Sequence, residues 1–264
     1  MVWSNKRSKV WFGAVAALFG TLTLTTSALA ASPFNCSQLP NFAALSTALS
    51  TVVSAGGNGS LALDMWATVV DRDGVVCAVA KSGSAGDQWP GSRVISAQKA
   101  NTANAFSLPG LALSTANLYS AVQPGGSLYG LQHSNPVDTA AAYAGDAGTW
   151  GTSTDDLVAK KVGGVNVFGG GLPLYNNSGD LVGGLGVSGS TSCTDHIIAW
   201  KIRFGLNHDN VPAGVAPDGT DNIIFDIVGS NGNFKSKGGF GHPECGFGET
   251  PIAKALPTAF PVGP

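Results

Sequence analysis

The sequence predicts an α+β domain, an antiparallel sheet with helices packed on its faces. Two observations predict it. Helical and β-rich runs alternate in the order helix, hairpin, helix, strands, helix. The strand runs are joined by connections too short for crossover helices, so neighbours must run antiparallel. With 264 residues and 44% apolar side chains, the chain can bury a genuine core in a single domain.

Taken in order, residues 41–55 place Phe42, Leu45, Leu49, Val52 and Val53 at helical spacing, and Gly56-Gly57 ends the run. Leu61 to Asp71 and Val75 to Lys81 are β-rich and joined through Asp71-Arg72-Asp73-Gly74, a hairpin connection. A polar loop from Gly83 to Gly91 carries Trp89. An alanine-rich helix then runs from about Ser92 to Phe106 and ends at Leu108-Pro109-Gly110. Leu113 to Val122 predicts a short helix. Residues 144–156 predict a surface insertion. Val165 to Phe168, Leu172 to Tyr175 and Leu181 to Val187 predict strands, and Thr194 to Phe204 a last helix. Residues 205–264 are rich in Gly, Pro and Asn and predict an irregular C-terminal extension, draped over the domain or partly disordered.

Residues 1–30 read as a secretory leader. Lys6, Arg7 and Lys9 precede an uncharged apolar stretch from Val10 to Leu24, and Ala28-Leu29-Ala30 offers small residues for cleavage. The organisation expected is therefore a leader at 1–30, a domain at 31–204 whose 111–162 part diverges and bears insertions, and an extension at 205–264. Export places the mature chain in the periplasm or outside the cell. No later apolar run spans a bilayer.

The full chain has net charge −2, and losing three leader cations makes the rest more acidic, which excludes sequence-independent nucleic-acid binding. The four cysteines, Cys36, Cys77, Cys193 and Cys245, predict two disulfides in an oxidising compartment. Three pairings exist; Cys193 with Cys245, which would pin the tail, and Cys36 with Cys77 are the pairs expected.

Gly184-Leu185-Gly186-Val187-Ser188-Gly189 matches G-x-G-x-x-G, but five residues separate its last glycine from the next helix and no βαβ series surrounds it. No NAD site is expected there. A nucleophile elbow, a zinc-protease helix and a C-x-x-C pair are all absent, and the Asp residues after 205 lack EF-hand spacing. His133, His196, His208 and His242 are singly placed.

Four stretches in order then carry a resemblance: Val69 to Gly74, Lys99-Ala100-Asn101-Thr102-Ala103 with Phe106, Gly169 to Leu174, and Gly183 to Gly189 with Asp195. Over roughly 61–110 and 163–204 the chain resembles the GlcG/HbpS-like family, also described as a haem-degrading domain. The resemblance implies a profilin-like fold, homo-oligomeric assembly, and haem or another small planar molecule as ligand. It implies Thr102 as a haem contact on the alanine-rich helix. Lys99 could meet a propionate or be an ordinary surface lysine. Phe106 would supply an apolar wall, and His133 or His196 a stronger iron donor than the neutral Thr102. The family also leaves open an enzyme acting on a small molecule, including oxidative haem breakdown, and a purely partner-binding oligomer. Lys81-Ser82-Gly83 departs from the family pattern after the first hairpin, and His196 stands where an acid is usual. All of this presumes that the alanine-rich helix and the glycine-flanked strands enclose a cavity for a flat guest.

Overall fold

The computed structural model describes residues 35–59, 61–230 and 233–263. The expected leader lies outside them. The elements are α1 (Phe42–Ala55), β1 (Trp66–Asp71), β2 (Val76–Lys81), α2 (Gly91–Phe106), a one-turn α3 (Thr139–Ala142), β3 (Gly171–Tyr175), β4 (Leu181–Ser188), α4 (Ser192–Gly205), β5 (Ile227–Ser230), β6 (Asn233–Ser236) and α5 (Glu249–Ala259).

Local chemistry explains the boundaries. The Asn41 side chain accepts from the Ala44 N–H and caps α1, which ends at Gly56 with φ 65°. In the first hairpin, Asp71 Oδ1 accepts from the N–H groups of Asp73 and Val75, and Gly74 takes φ 76°. The Thr191 side chain caps α4 through the Thr194 N–H.

One antiparallel sheet, in the order β2-β1-β4-β3, organises these parts. β1 pairs with β2 on one side and with β4, Trp66 opposite Ser188, on the other. Alternation splits β1 between two cores. Ala67 and Val69 join Leu185, Val187, Leu45, Leu49 and the α4 residues Ile197, Ile198 and Trp200. Trp66 and Val70 join Val94, Ala97 and Ala100 of α2, with Leu157 and Val162. The α+β sheet flanked by helices is thus the observed fold.

Four expectations need correction. The first strand begins at Trp66, not Leu61. The 113–122 segment forms two 3-10 turns, Thr115–Leu118 and Ser120–Val122, the first closed by reciprocal bonds between Ser114 and Asn117. Residues 165–168 are not a strand. Their backbone groups pair with side chains instead: the Asn166 N–H with Thr102 Oγ1, and the Phe168 carbonyl with the Thr115 hydroxyl. The 144–156 stretch is exposed at first but dives inward at Asp155, which Arg93 of α2 grips bidentately at 2.9 and 2.5 Å.

The extension is more ordered than its composition suggests. It builds the β5–β6 hairpin and α5, whose Ala253 and Leu256 enter the main core. The disulfides are Cys36–Cys77 and Cys193–Cys245, and the second fastens the extension to α4. Chain separations of 41 and 52 residues correspond to about 4 kcal/mol of unfolded-state restriction each. Among the described residues no helix is long and apolar enough to cross a membrane.

Candidate functional site

The glycines of β4 set how α2 meets the sheet. A Cβ at Gly186 would lie 1.9 Å from the Ser96 carbonyl oxygen and 2.5 Å from the Ala100 nitrogen. At Gly184 it would lie 2.3 Å from the Ala100 oxygen, and at Gly171 2.5 Å from the Lys99 oxygen. Helix backbone therefore rests directly on strand backbone. The expected cavity between these two surfaces is absent: glycine spacing that could have made room for a guest makes room for the helix itself.

The same gap admits one long side chain. Lys99 extends past Gly170, where a Cβ would come within 2.9 Å of Nζ, and reaches Asp195 in the first turn of α4. Nζ donates to Asp195 Oδ2 at 2.6 Å and to the Val187 carbonyl at 3.1 Å, and lies 4.9 Å from the Phe168 ring centre. The pair is sealed from solvent. Burial raises the Asp195 carboxyl to about 6, with the Lys99 charge and the Ser190 and Gly189 N–H groups opposing it. Burial lowers the Lys99 ammonium. Lys99 is thus neither a surface lysine nor a free cation, and meeting a propionate would require it to abandon Asp195.

The other expected site residues divide by exposure. Thr102 is buried; its hydroxyl donates to the Gln98 carbonyl and accepts from the Asn166 N–H. A guest could touch it only if the 163–168 segment lifted away. Phe106 is half-buried against Leu118, Val122 and Val167. His196 is fully buried beside Asp195, its Nε2 3.2 Å from both Asn222 Oδ1 and the Ile223 nitrogen, its Nδ1 without a partner. Burial lowers His196 to about 3. His133 is exposed, two residues beyond Leu131, which packs on the Phe106 cluster. The fold therefore joins Lys99 and His196 through Asp195 at the start of α4, and packs Phe106 in a separate cluster with Leu131, two residues before the exposed His133.

Several buried pairings carry no signal in the sequence. Arg93–Asp155 and Arg203–Asp221 are buried ion pairs, and the His242 ring lies 5.1 Å from that of Tyr119, tilted by 53°, with Nδ1 2.7 Å from the Pro243 carbonyl. Their partners lie 62, 18 and 123 positions away or in an unpatterned loop, so no spacing signalled them. Burial lowers His242 to about 4.

These shifts give a pH dependence. In the unfolded chain both imidazoles protonate near 6.5, in the folded chain only near 3 and 4. The stability they support above pH 6.5 is therefore lost as pH falls. Between pH 6 and 4 the folded chain takes up one proton at Asp195, which offsets one of the two. The net expectation is a decline of about 1.4 kcal/mol per pH unit over that window. Urea titrations from pH 7 to 4 measure it, and His242→Gln should flatten the slope.

Open surface clefts among the described residues include the following two. One of about 290 Å³ is lined by Asn35, Gln38, Asp71, Arg72, Asp73 and Asp180 with flanking apolar residues. The other, about 440 Å³, is a shallow depression at Asn176, Asn177, Ser178, Asn207 and His208. Neither suits haem. The first surrounds Arg72 with carboxylates, which repel propionates, and Arg72 is already bound to Asn104. In the second, both His208 ring nitrogens approach carbonyl oxygens, of Leu206 at 2.7 Å and of Gln38 at 2.9 Å. Among the described histidines, His133 is the one left with an exposed, unbonded imidazole.

Residues 46–202 match the family described as haem degrading protein HbpS-like. Among solved structures, similarity is found to a PduOC–haem complex (25% identity, 62% of this chain and 91% of that chain, TM-score 0.43). It extends to the Klebsiella pneumoniae protein ORFY (25% identity, 66% and 97%, TM-score 0.42). A double mutant of HbpS from Streptomyces reticuli is also similar (21% identity, 75% and 100%, TM-score 0.41). No curated protein matches. With more than half of its length matched, the whole four-stranded sheet included, the chain belongs to the HbpS-like family.

Proposed function

We propose that this protein binds haem, or a flat ligand closely related to it, as an exported protein. The family match over residues 46–202 is the observation that carries the reading. The packing of side chains directs it away from the α2–β4 contact and toward the surface segment that follows Leu131 of the Phe106 cluster, where His133 is exposed and Leu128 and Tyr129 are exposed nearby in sequence. His133 would offer an imidazole to the iron, and Phe106 with its apolar neighbours would border the macrocycle. Lys99, Thr102 and His196 would act from beneath, holding α2 and the 163–168 segment in place. Haem, when bound, supplies the iron and its redox chemistry.

Cleavage after residue 30 and passage out of the cytoplasm agree with the two disulfides. Self-assembly into a homo-oligomer remains part of the proposal, and light scattering on the purified protein tests it.

Hemin titration tests the ligand. A saturable shift of the haem absorption band is expected, weakened about tenfold or more by His133→Ala and unchanged by Thr102→Ala. Absence of any shift in the wild type overturns haem binding. Loss with Thr102→Ala but not His133→Ala would return the site to α2 and overturn the surface assignment.

A further inference from the structure

The Cys193–Cys245 disulfide sits in surroundings that a structural cross-link does not require. Cys193 is the second residue of α4, fully buried, and its own N–H donates to Cys245 Sγ at 3.3 Å. The Ser192 hydroxyl lies 3.6 Å from the same sulfur. His242 places a ring nitrogen within 4.8 Å of both sulfurs. Cys245 is partly exposed, so the pair has a route to solvent. A helix N-terminus and a hydroxyl directed at sulfur favour thiolate over thiol. Two thiolates and one imidazole are the donor set of three-ligand zinc sites that keep a fourth position open.

From this geometry we infer that the reduced form of Cys193 and Cys245, together with His242, is a site for a soft divalent cation of the zinc type. The disulfide and the metal-bound state are alternatives. A thiol reductant delivers two electrons and two protons, the S–S bond becomes two thiols, and the reductant leaves as its own disulfide. The cation then displaces both thiol protons to solvent. The imidazole enters as a neutral donor through Nε2, which exchanges a long bond from the Gly169 N–H, 3.4 Å, for the cation. Its Nδ1 approach to the Pro243 carbonyl, 2.7 Å, orients the ring in the way that outer partners orient metal-bound histidines.

The other disulfide supplies an internal contrast. Cys36 and Cys77 also have an acidic neighbour within reach, Asp71. Its Oδ1 already accepts from Asp73 and Val75, and its Oδ2 from the Asn35 N–H. No imidazole stands there. Both carboxylate oxygens are committed, to the hairpin turn and to the Asn35 N–H, whereas His242 would give up only the 3.4 Å contact from Gly169.

Cobalt(II), whose thiolate complexes are coloured, is the probe. The purified protein, reduced under anaerobic conditions and checked by near-ultraviolet circular dichroism for retained packing, is titrated with cobalt and then with zinc. One equivalent of cobalt should produce thiolate charge-transfer absorption, zinc should abolish it, and the oxidised protein should show none. Replacing Cys36 and Cys77 by serine should leave the signal intact. His242→Gln should weaken cobalt binding by about tenfold or more. Failure of the folded, reduced wild type to bind one equivalent overturns the proposal, without recourse to any variant. So does a signal that disappears with Cys36 and Cys77, or one indifferent to His242→Gln.

Discussion

Gly186→Ala is expected to abolish folding of the domain, although it adds a single methyl group. That carbon would sit 1.9 Å from the Ser96 carbonyl oxygen and 2.5 Å from the Ala100 nitrogen, both backbone atoms of α2. A flexible side chain could swing aside; a helix backbone packed along β4 cannot. Retreat of α2 by even an ångström would loosen Val94, Ala97 and Ala100 from Val70 and Leu157, and lengthen the Lys99–Asp195 contact. Losses of more than about 4 kcal/mol are rare among single substitutions and arise from such overpacking. With total stabilities of about 5–15 kcal/mol, little or no native population should survive. Near-ultraviolet circular dichroism and soluble yield report the outcome. Gly91→Ala, at the open start of the same helix where an added Cβ meets nothing within 4 Å, should behave like the wild type. Native-like stability of Gly186→Ala would show that α2 does not lie on β4 as described.

The second large effect concerns how a buried charge responds when its partner goes. Arg203 donates to both oxygens of Asp221 at 2.6 and 2.8 Å and also to the Pro173 carbonyl, with no solvent at either group. Asp221→Ala leaves a guanidinium that cannot shed its proton. About 3–5 kcal/mol should be lost, at pH 5 and pH 8 alike. Lys99→Met poses the opposite case, because the stranded group is Asp195, which can become neutral. Its carboxyl already stands near 6 with Lys99 present, against 3.8 ordinarily, and losing that cation moves it higher. A folded-state value above the unfolded one means stability retained at low pH and lost as pH rises through the folded value. Lys99→Met should therefore be markedly less damaging at pH 5 than at pH 8. Urea unfolding of both variants at the two pH values decides it. Equal losses for Lys99→Met at both would contradict an isolated Asp195, and a loss under about 1 kcal/mol for Asp221→Ala would contradict a dry Arg203.

Both results bear on function through the same geometry. Lys99, Thr102 and His196 were attractive as ligand contacts because cation, hydroxyl and imidazole are what a haem pocket uses. Each proves committed inside the single chain: Lys99 to Asp195, Thr102 to Asn166, His196 to Asn222 and Ile223. The proposed binding surface therefore lies toward the segment of His133 and the Phe106 cluster, and these buried contacts hold α2, α4 and the 163–168 segment in place.

Local pattern wrote most of the secondary structure. Helical spacing of Leu45 and Leu49, the Asp71–Gly74 turn, and the alternation across β1 and β4 depend on neighbours within a few residues. Those are legible because propensity, capping and burial periodicity act over that range. The stretch 165–168 looked like another strand for the same reason, and failed to be one because its hydrogen-bond partners, Thr102 and Thr115, come from 64 and 53 residues away.

By itself the sequence determined the α+β alternation, the antiparallel pairing of β1 with β2 and of β3 with β4 across short connections, and the ordered motifs of the HbpS-like family; the central β1–β4 pairing joins distant strands. Tertiary structure alone decided whether the β4 glycines open a pocket or admit a helix, and which acid each buried base would face. A missing side chain records only that something comes close. What comes close, backbone or ligand, is settled by contacts made across dozens of residues, where the chain's local preferences carry no information.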